Sequence, residues 1–122
     1  MSEPVTVHRL SPADVPRLRA LNAVFAEAFA DPDAYGGAPP SDAYLADLLA
    51  KPHVIALVAL DDDAVVGGLV AYELEKFERA RREIYIYDLA VALPHRRRGV
   101  ATALIRRLQA IAAERAAWVV YV

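Results

Sequence analysis

Apolar positions along the chain switch between two rhythms, and the switches mark its elements. Val5 to Leu10 has a short β-rich pattern. Ser11-Pro12-Ala13-Asp14 then reads as a helix start, with a Ser cap, Pro at the first helical position and an acid in the first turn. Leu18, Leu21, Val24, Phe25 and Ala28 recur at helical spacing, which predicts a helix burying one face until about Phe29. Asp31 to Pro40, DPDAYGGAPP, is dense in Asp, Gly and Pro and predicts a loop. Ser41 is placed to cap a short second helix, Asp42 to Leu49, with Tyr44, Leu45 and Leu48 on its apolar side and Pro52 ending it.

From His53 the rhythm changes. His53 to Leu60, HVIALVAL, is almost continuously apolar, and Asp61-Asp62-Asp63 separates it from Ala64 to Leu74, so the pair predicts an antiparallel hairpin. Gly67-Gly68 inside the second run points to a bulge or a close backbone approach. Lys76 to Arg82 is a charged connection. Ile84 to Val91 predicts a strand, Ala92 to Arg98 a loop, and Gly99 to Arg115 a helix with Val100, Leu104, Leu108 and Ile111 as its buried stripe. Ala117 to Val122 begins another strand. This order predicts an α/β chain with one sheet, partly antiparallel.

The size, 122 residues, predicts one domain spanning 1–122 with a real core. A charged quarter beside an apolar majority excludes a disordered chain. The net charge of −2 excludes a general attraction to nucleic acid, so no nucleic-acid partner is expected. Basic character is local, at Arg79 to Arg82, Arg96 to Arg98 and Arg106 to Arg107. The absence of cysteine excludes disulfides, thiolate metal sites and a Cys nucleophile. No apolar run approaches the roughly 18 residues of a membrane span, and MSEPVTVHRL lacks a leader pattern. A cytoplasmic protein is the expectation.

Chemistry gathers around Glu83 to Arg107. The predicted helix at Gly99 has no capping side chain, and Arg96, Arg97 and Arg98 before it carry the wrong sign for a helix N-terminus. Free N–H groups from Gly99 to Thr102 would suit a phosphate. A solvated surface run is the plain alternative. Asp88 shares strand parity with Ile84, Ile86 and Ala90 and has apolar or aromatic neighbours, so its carboxylate needs a purpose or a partner. Either it accepts a proton from an attacking amine or binds a cation, or it is a structural salt bridge to Arg81 or Arg82. Glu27, Asp31, Asp33 and Asp42 surround the first loop and suit a cationic ligand, or merely solubilise it. Tyr35, Tyr72, Tyr85 and Tyr87 shape a cleft or pack. His95 adjoins the arginines; His8 and His53 fit structural roles, and no spacing suits a metal. Ser2, Ser11 and Ser41 lie in no nucleophile motif.

Arg96-Arg97-Arg98-Gly99-Val100-Ala101 matches the (Gln/Arg)-x-x-Gly-x-(Gly/Ala) signature of the GNAT acetyltransferases, and Tyr87 to Val91 precede it. More narrowly, the chain resembles the class I aminoglycoside 3-N-acetyltransferases. The stretches that carry this are VIAL at Val54 to Leu57, AVVG at Ala64 to Gly67, KFE-x-AR at Lys76 to Arg81, EIYIYDLAV at Glu83 to Val91, and HRR-x-G-V-ATALI at His95 to Ile105. The resemblance implies a mixed, mostly antiparallel sheet flanked by helices. It implies acetyl-CoA as cosubstrate, with the backbone of Leu89, Ala90 and Val91 on the pantetheine arm and Arg96, Arg97, Arg98, Gly99, Val100, Ala101 and Thr102 at the pyrophosphate. Asp88 becomes the catalytic carboxylate, and Glu27, Asp31, Asp33 and Tyr87 contact an aminoglycoside such as gentamicin. Direct attack, without a covalent enzyme intermediate, is the mechanism that fits, and no metal is needed. Family members continue beyond the strand at Val119 to Val122 with a helix and two strands that carry a general-acid tyrosine, so the domain is expected to be C-terminally short. Its last strand then pairs across a homodimer, or the chain is a shortened variant. A relative acting on a polyamine or protein amine, and a non-catalytic acyl-CoA-binding fragment, are the alternatives.

Overall fold

The computed structural model describes residues 5–122; Ser2 lies outside them. Thr6–Arg9 (β1), Val54–Asp61 (β2), Ala64–Glu75 (β3), Arg82–Val91 (β4) and Val119–Tyr121 (β5) form one sheet in that order. β1 to β4 run antiparallel, and β5 lies parallel to β4. The parallel pair requires a crossover, which the helix α4, Val100–Glu114, supplies. α1 (Val15–Ala28), α2 (Pro32–Gly36) and α3 (Asp42–Ala50) fill the connection between β1 and β2.

The two faces of the sheet carry two cores. On one, Leu104, Leu108 and Ile111 of α4 pack on Ile55, Leu57, Leu69 and Ile84. On the other, Leu21 and Phe25 of α1 with Leu45 and Leu49 of α3 pack on Ala56, Val58 and Leu60. β2 is therefore buried on both sides, which is why its sequence has no polar alternation. Each of the buried Val, Leu, Ile and Phe side chains among these contributes roughly 1.5–3 kcal/mol of transfer free energy.

Several local expectations are corrected by the packing. The Ser11 hydroxyl and N–H both donate to Asp14 Oδ2, at 3.0 and 2.8 Å, and open a 3-10 turn, Pro12–Asp14, ahead of α1. The loop from Asp31 contains α2, because the Asp31 carboxylate accepts the Ala34 N–H at 3.2 Å and Pro32 occupies the first turn. Ser41 caps α3 as expected, accepting from the Tyr44 N–H at 3.1 Å. The Tyr44 side chain is exposed, because Leu45 and Leu49 are the positions that face the core.

Register slips in two places. Ala59 pairs with Gly67 but Leu60 with Val65, so Val66 is an extra residue next to the glycine pair. Gly68 is the close approach: a Cβ there would stand 2.5 Å from both Leu21 Cδ1 and Leu57 O. In β4, Val70 pairs with Asp88 and Ala71 with Ile86, which leaves Tyr87 as the extra residue. A one-residue insertion exchanges the faces beyond it. Ile84 and Ile86 face α4, whereas Ala90 joins the α1 core. The shared parity of Asp88 with Ile84 and Ile86 is thus corrected: Asp88 lies on the α1 face. Among the described residues no helix is long and apolar enough to cross a membrane.

Candidate functional site

β5 pairs with β4 only at Glu83, Ile84 and Tyr85. Among the described residues, this edge of β4 has no partner strand from Ile86 to Val91, and the opening leads to the start of α4. There Gly99 has φ 77, a left-handed conformation that a side chain would strain, and a Cβ would meet nothing within 4 Å. The first internal bond of α4 is Ala103 N–H to Gly99 O at 3.0 Å. Among the described residues, the N–H groups of Val100, Ala101 and Thr102 have no acceptor, and no side chain caps the helix.

A cavity of about 390 Å³ lies at this junction, lined by Leu89, Ala90, Val91, His95, Arg96, Arg97, Gly99, Val100, Ala101 and Thr102. Arg98 does not line it. Arg96 donates from Nε to the Val91 carbonyl at 2.9 Å, which ties the loop to the end of β4. Arg97 holds φ 63, a strained value for a residue with a Cβ, beside the glycine. Among the described residues, none of the three arginines has a carboxylate partner. Unpaired N–H groups, a helix N-terminus and guanidinium charge are together the chemistry that a phosphate group requires of a binding site.

On the α1 face, the Tyr35 hydroxyl of α2 donates to Asp88 Oδ1 at 2.9 Å. Asp88 is half-buried and receives no guanidinium: Arg81 is held by Glu83 at 2.9 Å and lies over the Trp118 ring at 4.0 Å. The salt-bridge alternative for Asp88 is therefore corrected: Arg81 is drawn to Glu83 at the other end of the strand, and among the described residues Arg82 pairs with no carboxylate. Burial, the hydrogen bond to Asp88 and the charge of Asp88 push the Tyr35 phenol up to about 12. Tyr72 is raised chiefly by burial and then by the same carboxylate. Tyr87, put outward by the bulge, is 65% exposed and meets Tyr72 and Tyr85 edge-on at 5.9 and 6.2 Å.

The acidic positions divide. Glu27, Asp33 and Tyr35 line an 850 Å³ cavity between α1, α2 and the segment ending at Pro40. Asp31 is outside it, committed to the α2 cap, and Asp42 is committed to Arg19 at 2.6 Å. Asp88 does not line this cavity; Tyr35 is the residue that touches both. Sequence reading named Tyr35 only as a cleft residue, because its partner lies 53 positions away. It also missed the pair His95 Nε2 and Asp61 Oδ2, 3.2 Å apart, which joins the basic loop to the β2–β3 turn. Buried His95 Nδ1 has no partner among the described residues. The DDD turn gave one signal for this, an acid more than a two-residue turn requires.

Residues 20–122 match the acetyltransferase (GNAT) family. No curated protein matches the chain. Among solved structures, the chain is similar to an aminoglycoside acetyltransferase from an uncultured soil metagenomic sample, at 52% identity. The likeness covers 97% of this chain and 78% of that one, with a TM-score of 0.94. A second aminoglycoside acetyltransferase from such a sample, in complex with sisomicin, is 29% identical over 95% of this chain and 74% of that one, TM-score 0.86. The ribosomal-protein-alanine N-acetyltransferase of Brucella melitensis biovar Abortus is 29% identical over 96% and 77%, TM-score 0.73.

Proposed function

The chain belongs to the GNAT acetyltransferase family and is an acetyl-CoA-dependent N-acetyltransferase, and from that premise we propose that its acceptor is the 3-amino group of a gentamicin-type aminoglycoside. The observation that carries this is the 52% identity to an aminoglycoside acetyltransferase, joined by the sisomicin complex of the second relative.

The residues divide the work. The N–H groups of Val100, Ala101 and Thr102, with Arg96 and Arg97, hold the pyrophosphate, Arg98 adds charge from outside the cavity, and Gly99 keeps the approach clear. The backbone of Leu89, Ala90 and Val91 on the open edge of β4 accepts the pantetheine arm as a further strand would. Bound acetyl-CoA supplies an activated thioester. Asp88 takes the proton of the attacking amine, directly or through water, and Glu27, Asp31 and Asp33 draw the polycation toward Tyr87. No side chain is acylated on the way: the sequence has no cysteine, Ser11 is bonded to Asp14 and Ser41 caps α3. The reaction needs no metal. We place the enzyme in the cytoplasm as a homodimer pairing through the outer edge of β5, which has no partner strand among the described residues.

Thiol release with gentamicin, sisomicin, spermidine and an N-terminal peptide amine tests this, with the acetylated position read by mass spectrometry and NMR. Gentamicin or sisomicin acetylated at the 3-amino group is expected to give the highest kcat/KM. Peptide preference would support the second reading, a protein-amine acetyltransferase, which the likeness to the ribosomal-protein enzyme favours. Coenzyme binding without release from any amine would leave an acyl-CoA-binding protein. Light scattering decides the dimer.

A further inference from the structure

Tyr35 joins two regions that the fold otherwise keeps apart. Its ring sits 5.7 Å from both Phe25 and Phe29, which stack on each other at 5.6 Å, and Phe25 is fully buried. The ring packs against the edge of the α1 core, and these contacts with the hydrogen bond to Asp88 favour one place for its hydroxyl. α2, which carries Tyr35, starts at the Asp31 cap and presents Asp33 and Tyr35 to the 850 Å³ cavity.

We propose that Tyr35 is a positioning residue for acetyl transfer: its phenol holds Oδ1 of Asp88 and aims Oδ2 at the incoming amine, making the acceptor wall and the proton acceptor one unit. This rests on the reading of Asp88 as proton acceptor given above. Among the described residues, Oδ2 receives no hydrogen bond and no cation pairs with the carboxylate. The Asp88 charge acts on two phenols, Tyr35 from α2 and Tyr72 from β3. Tyr87 from β4, Asp31 at the α2 cap and Tyr44 from α3 also act on those two phenols. In such surroundings the one donated hydrogen bond sets the carboxylate orientation. The Tyr35 phenol, held near 12, stays a donor throughout any workable assay range.

The test is a double-mutant cycle of Tyr35→Phe and Asp88→Asn, assayed with whichever amine gives the fastest thiol release. Phe keeps the stacking on Phe25 and Phe29, and a thermal melt checks that it folds. Tyr35→Phe is expected to lower kcat about tenfold, the scale of one hydrogen bond to a charged group. The KM for acetyl-CoA should stay within about twofold, and the second substitution should cost nothing further in the Asp88→Asn background. An unchanged kcat in Tyr35→Phe, or the same fold loss in both backgrounds, overturns the inference while leaving Asp88 in place. Wild-type activity in Asp88→Asn alone overturns the reading of Asp88 itself.

Discussion

Asp88 and Gly99 stand out at the scale of single residues because each breaks a local rule. Asp88 is a carboxylate on a strand with a phenol as its partner, and Gly99 opens a helix with φ 77 and no cap. Asp88→Asn keeps the shape and an acceptor for Tyr35 while removing the proposed base. It should lower kcat by about a hundredfold or more, with acetyl-CoA affinity by calorimetry unchanged. Gly99→Glu strains the backbone by roughly 1–2 kcal/mol and puts a negative side chain beside the unpaired N–H groups. Acetyl-CoA binding should fall below detection in the same calorimetry, and unchanged affinity would sink the phosphate assignment.

Among elements, the two bulges do most to aim the site. The one at Tyr87 sends Asp88 to the face where α2 lies, and the one at Val66 sits beside the glycine pair, of which Gly68 lies under α1. α1 rides directly on Gly68, where Leu21 Cδ1 and the Leu57 carbonyl occupy the space of a side chain. Gly68→Ala must push α1 away or bend β2, at a cost of about 1–3 kcal/mol. A urea titration should show the midpoint falling with an unchanged m-value. Since Tyr35 is anchored on Phe25 of α1, the surviving folded enzyme should also lose kcat rather than acetyl-CoA affinity.

Across the whole molecule, Glu73 and Arg115 tie the end of α4 to β3. Arg115 donates from Nε and its second terminal nitrogen to the two Glu73 oxygens, both at 2.7 Å, and Glu73 is buried. The paired guanidinium holds the Glu73 carboxyl below its ordinary value against the opposing effect of burial. A depressed carboxylate contributes stability that is present above its unfolded pKa, near 4.5, and lost as pH falls through the lower folded value. Glu73→Gln should destabilise by about 2–3 kcal/mol at neutral pH, less than for a fully buried pair because the Arg115 side chain is 27% exposed. Denaturant melts should show the difference from wild type shrinking between about pH 5 and pH 3; a difference constant over that window would mean that the pair's charge contributes nothing.

The sequence by itself determined what depends on neighbours along the chain. The apolar stripe of α4, the two-sided burial of β2 and the Ser41 cap follow from short spacings whose geometry any helix or strand repeats. Arg96 to Ala101 after Tyr87 to Val91 were enough to read the family that matches residues 20–122. Of the ten residues expected on the donor side, Leu89 to Val91 and Arg96 to Thr102, nine line one cavity and Arg98 does not. Tertiary structure decided the rest. The face of Asp88 depends on the strand it pairs with, since a single extra residue at Tyr87 inverts the parity that alternation predicts. Its partner, Tyr35, is 53 residues distant, and His95 lies 34 from Asp61. Side chains so far apart meet only where α2 closes over the sheet and the β2–β3 turn reaches the basic loop. Their contacts depend on how whole elements pack, and no spacing along the chain encodes that distance.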